Sequence, residues 1–271
     1  MPASPRVLAR LSEVLADINS DTDDIVELVG FDAGITAGLI RLSNSALFAF
    51  SEPTTTLEEA IGRVGFREVY RLVGLASTRL LFPQQLELYG ISGEQMWENS
   101  ITTALAMEVL ARRSRVMDDR EAYTIGLLRS SGKIILSRLA SNGETVIPYP
   151  GEEAVPYIED WEKAHFGIGS NEAGAQLMVH WKFAPSIAEA VRHHGAPLES
   201  PSISVEAVLL NVASGLAQQL GSGIPGETLN WRKHPEKFAR TNLSPEVAEE
   251  ALEEVRGELE KLRSAVSGSK L

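Results

Sequence analysis

Apolar residues recur at three- and four-residue intervals along most of this 271-residue chain, and this period favours helices throughout. Residues 6–19 show it most clearly, because their apolar side chains fall on one side of a helix and their polar side chains on the other. No segment shows a sustained alternation of polar and apolar residues, the pattern of a half-buried strand. Apart from a brief extended piece at residues 145–147, we therefore expect an all-α protein.

Turn-forming residues divide the helical pattern into two lobes. Pro83, Gly90 and Gly93 make residues 82–93 the best internal boundary, so we expect an N-terminal helical lobe at residues 1–88 and a second lobe at residues 94–220. In the second lobe, residues 121–139 are apolar over most of their length and are expected to form one central buried helix. Residues 221–271 are expected to contain a long polar connection, up to residue 242, and a last helix that begins near Pro245.

Charge and composition narrow the possible partners. The formal net charge of −12 opposes general attraction to phosphate backbones, so we expect no nucleic-acid partner. No run approaches the roughly 20 apolar residues needed to span a bilayer, and we expect no membrane partner and a cytoplasmic location. The chain has no cysteine, so any metal would need histidine, aspartate or glutamate ligands.

One short run carries most of the functional information. Its residues are Gly126-Leu127-Leu128-Arg129-Ser130-Ser131-Gly132-Lys133, which resemble the Gly-Leu-Leu-His-Asp-Ile-Gly-Lys of a metal-hydrolase helix. An adjacent histidine and aspartate can supply a nitrogen and an oxygen ligand to one divalent ion, whereas a permanently charged guanidinium repels that ion. The replacement by Arg129 and Ser130 favours binding and signalling over hydrolysis.

This run and four other segments, in the same order, resemble the HDOD family, bacterial signalling domains related in fold to the HD phosphohydrolases. The other segments are residues 40–48, 55–65, 166–174 and 181–194. The resemblance implies a two-lobed helical bundle whose C-terminal lobe is HD-like. It also implies a regulatory role in signal transduction, carried out with a signalling protein partner.

The relationship to the HD enzymes implies four metal-ligand positions, all of which have changed here. The chain carries Asn99, Arg129, Ser130 and Ser214 at them, and Ser170 replaces a further histidine found in many relatives. Amide and hydroxyl oxygens suit zinc or iron poorly without imidazole or carboxylate help. We therefore expect a pseudoenzyme with no catalytic residue, no metal and no cofactor.

Four polar residues invite a binding interpretation, and each has a structural alternative. Asn44 and Ser45 can both donate and accept hydrogen bonds, but at the end of a helix such residues commonly satisfy loose backbone groups. His193 and His194 could bind metal or transfer protons, although histidines in the last turn of a helix also favour its negative dipole end. For both pairs, the structural interpretation is favoured.

Arg129 and Lys133 lie four residues apart, so on a continuous helix they would share one face and could hold an anion such as a phosphate. Pairing of Arg129 with a carboxylate is the favoured alternative. We expect any ligand or partner to bind in a groove between the lobes. Its candidate residues are Asn44, Ser45, Arg129, Lys133, Ser170, His193 and His194.

Two other functions remain open from the sequence. One is a metal-dependent phosphohydrolase with a rearranged site built from His165, His193, His194, Glu172 and Asp160. The other is a sensor of a nucleotide second messenger. The second would be favoured if Arg129 and Lys133 were exposed in a concave pocket.

Overall fold

A computed structural model describes residues 6–17, 20–30, 32–45, 48, 53–79, 81–141, 147–201, 203–231 and 234–267. These residues are helical apart from turns and one two-stranded antiparallel sheet, which confirms the predicted all-α class. None of the described helices is both long and apolar enough to cross a membrane. Residues 145–146 of the expected extended piece lie outside the described part, as do residues 46–47 of the first family segment.

The chain divides into two compact units, of which the first contains residues 4–80 and 257–271. The apolar faces of its helices are buried, as the sequence predicts. The residues without exposed surface include Leu8, Leu11, Ile61 and Val73. The unit consists of α1 (Arg6–Ala16), α2 (Thr22–Gly30), α3 (Ala33–Ser43), α4 (Leu57–Val64), α5 (Phe66–Arg79) and the end of α14 (Pro245–Ser267).

The second unit contains residues 81–256. Its central helix is α6, which packs against both α7 and α12 and is buried along most of its length. The helices are α6 (Gly93–Ser114), α7 (Asp119–Leu128), α8 (Ser131–Ser141), α9 (Ile158–Phe166), α10 (Ser170–His180), α11 (Pro185–His193), α12 (Val205–Gln219), α13 (Pro235–Arg240) and the first part of α14. Strands β1 (Gln85–Leu86) and β2 (Ile91–Ser92) form the small sheet.

The run expected to form one central helix at residues 121–139 is divided into α7 and α8 by a turn at Arg129 and Ser130. Two close helix contacts hold the halves against different neighbours. A Cβ on Gly126 would lie 2.7 Å from the Thr103 oxygen in α6, and one on Gly132 would lie 1.9 Å from the Ser170 oxygen in α10. The glycines of the family motif therefore let α7 approach α6 and let α8 approach α10.

The segment expected to be a polar connection is instead partly folded into the second unit. It contains a short 3₁₀ helix at Thr228–Trp231 and the helix α13, and Ile224, Glu227, Trp231 and Phe238 are buried. The boundary between the units lies at residues 80 and 81, and the sheet that follows packs in the second unit with Leu86, Leu88 and Tyr89 buried. A proline- and glycine-containing stretch thus forms a compact hairpin here.

Candidate functional site

Two cations and two carboxylates are buried together in the second unit: Arg129, Lys133, Glu162 and Glu227. We call them the ionic cluster. The side chains of Arg129 and Lys133 are each 2% exposed, and those of Glu162 and Glu227 are 0% and 4% exposed. Buried charges persist in proteins when they are paired and hydrogen-bonded, and here each charge has an opposite partner. The four formal charges cancel.

Arg129 lies in the turn between α7 and α8, not on a continuous helix face as predicted. Its Nη1 donates to Oε2 of Glu227 at 2.9 Å, and its Nη2 donates to Oδ1 of Asn99 at 2.8 Å. The guanidinium carbon lies 5.3 Å from the ring centroid of Trp231, within the range of a cation–π contact. The favoured interpretation, in which Arg129 pairs with a carboxylate, is confirmed.

Lys133 extends the cluster from the first turn of α8. Its Nζ lies 3.1 Å from Oε1 of Glu227, 3.2 Å from Oε1 of Glu162 and 3.1 Å from Oγ of Ser170. The ammonium also lies 5.0 Å from the ring centroid of Tyr89. Burial alone would lower the pKa of Lys133, but the two carboxylates raise that pKa above its ordinary value. Lys133 therefore carries its positive charge at neutral pH.

Three groups contact the carboxylate of Glu162, a residue of α9. In addition to Lys133, its carboxylate accepts from the Tyr89 hydroxyl at 3.0 Å and from the backbone N–H of Ser170 at 2.6 Å. The Ser170 N–H begins α10, where a helix leaves donors unsatisfied. Burial, together with the charge of Glu162, raises the pKa of Tyr89 well above its ordinary value, so Tyr89 stays a donor.

Glu227 stays ionised although it is buried. Burial acts to raise its pKa, but the charges of Arg129 and Lys133 prevail and hold the pKa of Glu227 at about 2. Each carboxylate oxygen faces a different cation. Glu227 is therefore the group that compensates Arg129.

His194 forms one wall of the cluster as a neutral ring. Burial, helped by the charge of Arg129, lowers its pKa to about 3. Its Nδ1 lies 2.7 Å from the Val191 oxygen and so must carry the proton that it donates. Its Nε2 is then an acceptor, 3.5 Å from Nη1 of Arg129, and its ring stacks on Trp231 with an interplanar angle of 16°.

The four positions implied for metal ligands do not fit a metal. Oδ1 of Asn99 accepts from Arg129 and from Ser130 at 3.3 Å, while the hydroxyl of Ser214 donates to the Leu210 oxygen at 2.8 Å. No group of three His, Asp or Glu residues in the described part of the chain could hold a metal ion. A guanidinium and an ammonium already pair with the two carboxylates of the ionic cluster, so these carboxylates are engaged and do not serve as ligands for a divalent ion.

The other candidate residues do not join the ionic cluster, apart from Ser170 and His194. Asn44 and Ser45 belong to the first unit, where Asn44 exchanges two hydrogen bonds with the backbone of Thr54 and Ser45 donates to the Leu42 oxygen. They satisfy backbone groups, as the structural interpretation predicts. His193 is partly exposed and lies 3.3 Å from Glu189. Whether these residues share a groove with Arg129 stays a prediction.

Four of the five residues proposed for a rearranged metal site, His165, His193, His194 and Glu172, have other partners. His165 packs on the ring of Trp161 and bonds to its oxygen at 2.8 Å, and Glu172 pairs with Arg192 at 2.7 Å. His194 is buried within the cluster just described. The exposed Arg129 and Lys133 that a nucleotide sensor would need are not observed, because both side chains are buried and paired.

Sequence reasoning missed the two carboxylates of the cluster. The sequence assigns no role to Glu162, and Glu227 lies in the segment expected to be a polar connection. The sequence does contain a sign that the Glu227 segment is buried. Glu227 lies between Ile224 and Trp231, two residues of types that are usually buried. Trp231 packs this segment against the helices, because its side chain is buried and contacts Arg129 and His194.

Comparison with known proteins shows which family the chain is similar to. The HDOD domain matches residues 1–197, which is more than half of the chain. A protein of Treponema pallidum (strain Nichols) is 24% identical over 206 residues, and the chain spans 38% of that relative's length.

Three solved structures share the fold. An HDOD domain protein of Geobacter sulfurreducens has a TM-score of 0.73 at 19% identity, with 98% of this chain and 92% of that chain covered. A protein of Marinobacter aquaeolei VT8, provisionally named as a signal transduction protein, has a TM-score of 0.74 at 23% identity over 97% and 58% of the two chains. One from Shewanella amazonensis SB2B, provisionally named as a phosphohydrolase, has a TM-score of 0.70 at 23% identity over 98% and 95%.

Proposed function

The chain belongs to the HDOD family, and from this premise we propose that it works in the cytoplasm as a non-catalytic regulatory module in signal transduction. It would act by binding a signalling protein or a small ligand. The observation that carries the proposal is the pairing of Arg129 with Glu227 at 2.9 Å inside the helical core. A buried ion pair at the position implied for a metal centre replaces the chemistry of that centre with a fixed contact.

The names of two structural neighbours suggest different functions, since one is provisionally named as a signal transduction protein and the other as a phosphohydrolase. The residues of this chain support the first. A hydrolase of this type uses a metal ion to polarise a phosphoryl oxygen or to generate hydroxide, and both roles need open coordination positions. Here Arg129 and Lys133 are enclosed and neutralised by two carboxylates.

Metal content and turnover of the purified protein test the proposal. We expect background levels of iron, manganese, zinc and nickel after purification without chelator, and no phosphatase or phosphodiesterase turnover when each ion is added. The matched control is the double variant Arg129→His with Ser130→Asp, which restores the two ligand types of the hydrolase motif. Stoichiometric metal in the unaltered protein, together with turnover lost on replacing His193 and His194, would overturn the proposal.

A further inference from the structure

We infer that Arg129 and Lys133 form a carboxylate-binding pocket, and that the chain fills this pocket with its own Glu227 side chain. The two oxygens of Glu227 are bound separately, Oε2 by Arg129 at 2.9 Å and Oε1 by Lys133 at 3.1 Å. The two cations would bind the two oxygens of a free carboxylate ligand in the same way. The difference is that the Glu227 carboxylate is tethered to the chain.

The cations belong to the helical framework, whereas the anion is carried by a loop. Lys133 lies in α8 and Arg129 in the turn before it, but Glu227 lies between the end of α12 and the 3₁₀ helix. The loop has anchors of its own. Glu152 accepts from the N–H groups of Gly226 and Thr228 at 2.9 and 3.2 Å. Removing the Glu227 carboxylate therefore leaves the backbone around it held in place.

The charges in the pocket define what would replace that carboxylate. Without it, Lys133 keeps Glu162, but Arg129 keeps, among the described residues, only the neutral acceptors Asn99 and His194. One positive charge is then uncompensated. The Nε of Arg129 is a further buried donor that lacks an acceptor among the described residues. The vacated pocket calls for one monoanion with two oxygens.

The walls favour a planar anion over a tetrahedral one. The rings of His194 and Trp231 are stacked with centroids 5.8 Å apart, and the guanidinium of Arg129 lies over Trp231. Both rings contact the guanidinium, and the planar carboxylate of Glu227 binds to it. Glu227 places one carboxylate oxygen on Arg129 and the other on Lys133, and a phosphate, which carries four oxygens around a tetrahedral centre, would need more space there.

This inference rests on the proposed metal-free function and adds a ligand class to it. A carboxylate on a partner or on a small molecule would compete with Glu227 for Arg129. Where it prevailed, it would displace the Glu227 side chain from Arg129 and Lys133, while Glu152 still held the backbone of Gly226 and Thr228. The regulated element would then be the Glu227 side chain.

The test is chemical rescue of the Glu227→Ala variant. This change removes one methylene and the carboxylate, and together these two groups have the size of acetate. We expect the melting temperature to fall by about 10 °C, as removal of one partner leaves a buried charge uncompensated. Sodium acetate should restore at least half of that loss in a saturable way, relative to sodium chloride at equal ionic strength. Acetate should leave the unaltered protein unchanged.

Three controls give the result its meaning. Acetamide has the shape of acetate without its charge, and inorganic phosphate has charge without planarity; neither should rescue. The double variant Arg129→Met with Glu227→Ala should lose the acetate effect. The inference is overturned if acetate stabilises Glu227→Ala no more than it stabilises the unaltered protein, or if acetamide rescues equally well.

Loss of folding would not leave the inference untested. If Glu227→Ala does not fold in chloride, the yield of helical protein after refolding in acetate or chloride replaces the melting temperature, and equal yields overturn the inference. The metal content of the unaltered protein is measured separately. Failed rescue in a metal-free protein rejects the pocket alone, whereas bound metal rejects the proposed function.

Discussion

Glu227 accepts a hydrogen bond from Arg129 at 2.9 Å, and the contact joins residues 98 positions apart in the sequence. The resemblance to the HD enzymes implies a metal ligand at the position of Arg129, and Glu227 comes from the loop between α12 and the 3₁₀ helix. Lys133 stands on the other side of the same carboxylate. Two cationic side chains therefore lie at this place, and two buried carboxylates balance their charge.

Replacement of Glu227 by glutamine tests how much the ionic cluster contributes to stability. Glutamine keeps the shape but removes the charge that compensates Arg129, so we expect the free energy of unfolding to fall by about 3–5 kcal/mol. The matched control is Glu189→Gln, because Glu189 pairs with Arg192 at the surface, where such pairs contribute about 0–1 kcal/mol. Urea denaturation followed by circular dichroism measures both variants. Equal effects would contradict a special role for the buried pair.

A double-mutant cycle separates the pair from its surroundings. Arg129→Met and Glu227→Gln each leave a buried charge without its partner, whereas the double variant removes both charges. We expect the double variant to be more stable than the sum of the single losses predicts, with a coupling of about 1–3 kcal/mol between these contacting residues. Losses that add without coupling would show that Arg129 and Glu227 do not depend on each other in the folded protein.

The sequence predicted the helical class and the family because both depend on local features. The apolar period of residues 6–19 and the run from Gly126 to Lys133 each lie within one short stretch of consecutive residues. The break at Arg129 was missed, since it arises from contacts that hold Gly126 and Gly132 against different helices. Glu227 was missed for a similar reason: its burial depends on a partner far away in the sequence, which the apolar residues Ile224 and Trp231 on either side of it do not identify.

Acid should destabilise the protein in two stages, and His194 accounts for the first. Its pKa is lowered from 6.5 to about 3 in the folded state, so as pH falls below 6.5 the unfolded chain takes up a proton that the folded chain does not. Each pH unit in this window then removes up to about 1.4 kcal/mol of stability. The variant His194→Phe should flatten the pH dependence of the unfolding free energy between pH 6.5 and 5. The variant His180→Gln, at an exposed position of α10, serves as the control.

Glu227 accounts for the second stage of acid destabilisation. Its pKa is lowered from 4.5 to about 2, so the stability that it contributes is present above pH 4.5 and is lost as pH falls toward 2. The variant Glu227→Gln should lose stability at pH 7 and should also show a shallower decline below pH 4.5 than the unaltered protein. Thermal unfolding from pH 7 to pH 3 measures both variants. Parallel curves for the variant and the unaltered protein below pH 4.5 would contradict the assignment.

Gly132 sets the distance between α8 and α10, and so the position of Lys133 beside Ser170. A Cβ at Gly132 would lie 1.9 Å from the Ser170 oxygen and 2.6 Å from the Gly174 nitrogen, and both are backbone atoms that cannot rotate away. We expect Gly132→Ala to destabilise the protein by about 3 kcal/mol or more, the upper range of overpacking.

The control for this variant is Gly62→Ala in α4, where a Cβ would meet nothing within 4 Å. Alanine has the higher helix propensity, so Gly62→Ala should stabilise the protein by up to about 1 kcal/mol. The two variants make the same chemical change with opposite expected signs, and chemical denaturation distinguishes them. If Gly132→Ala were as stable as the unaltered protein, the helices α8 and α10 could separate without loss, and the contact between Lys133 and Ser170 would not depend on their close approach.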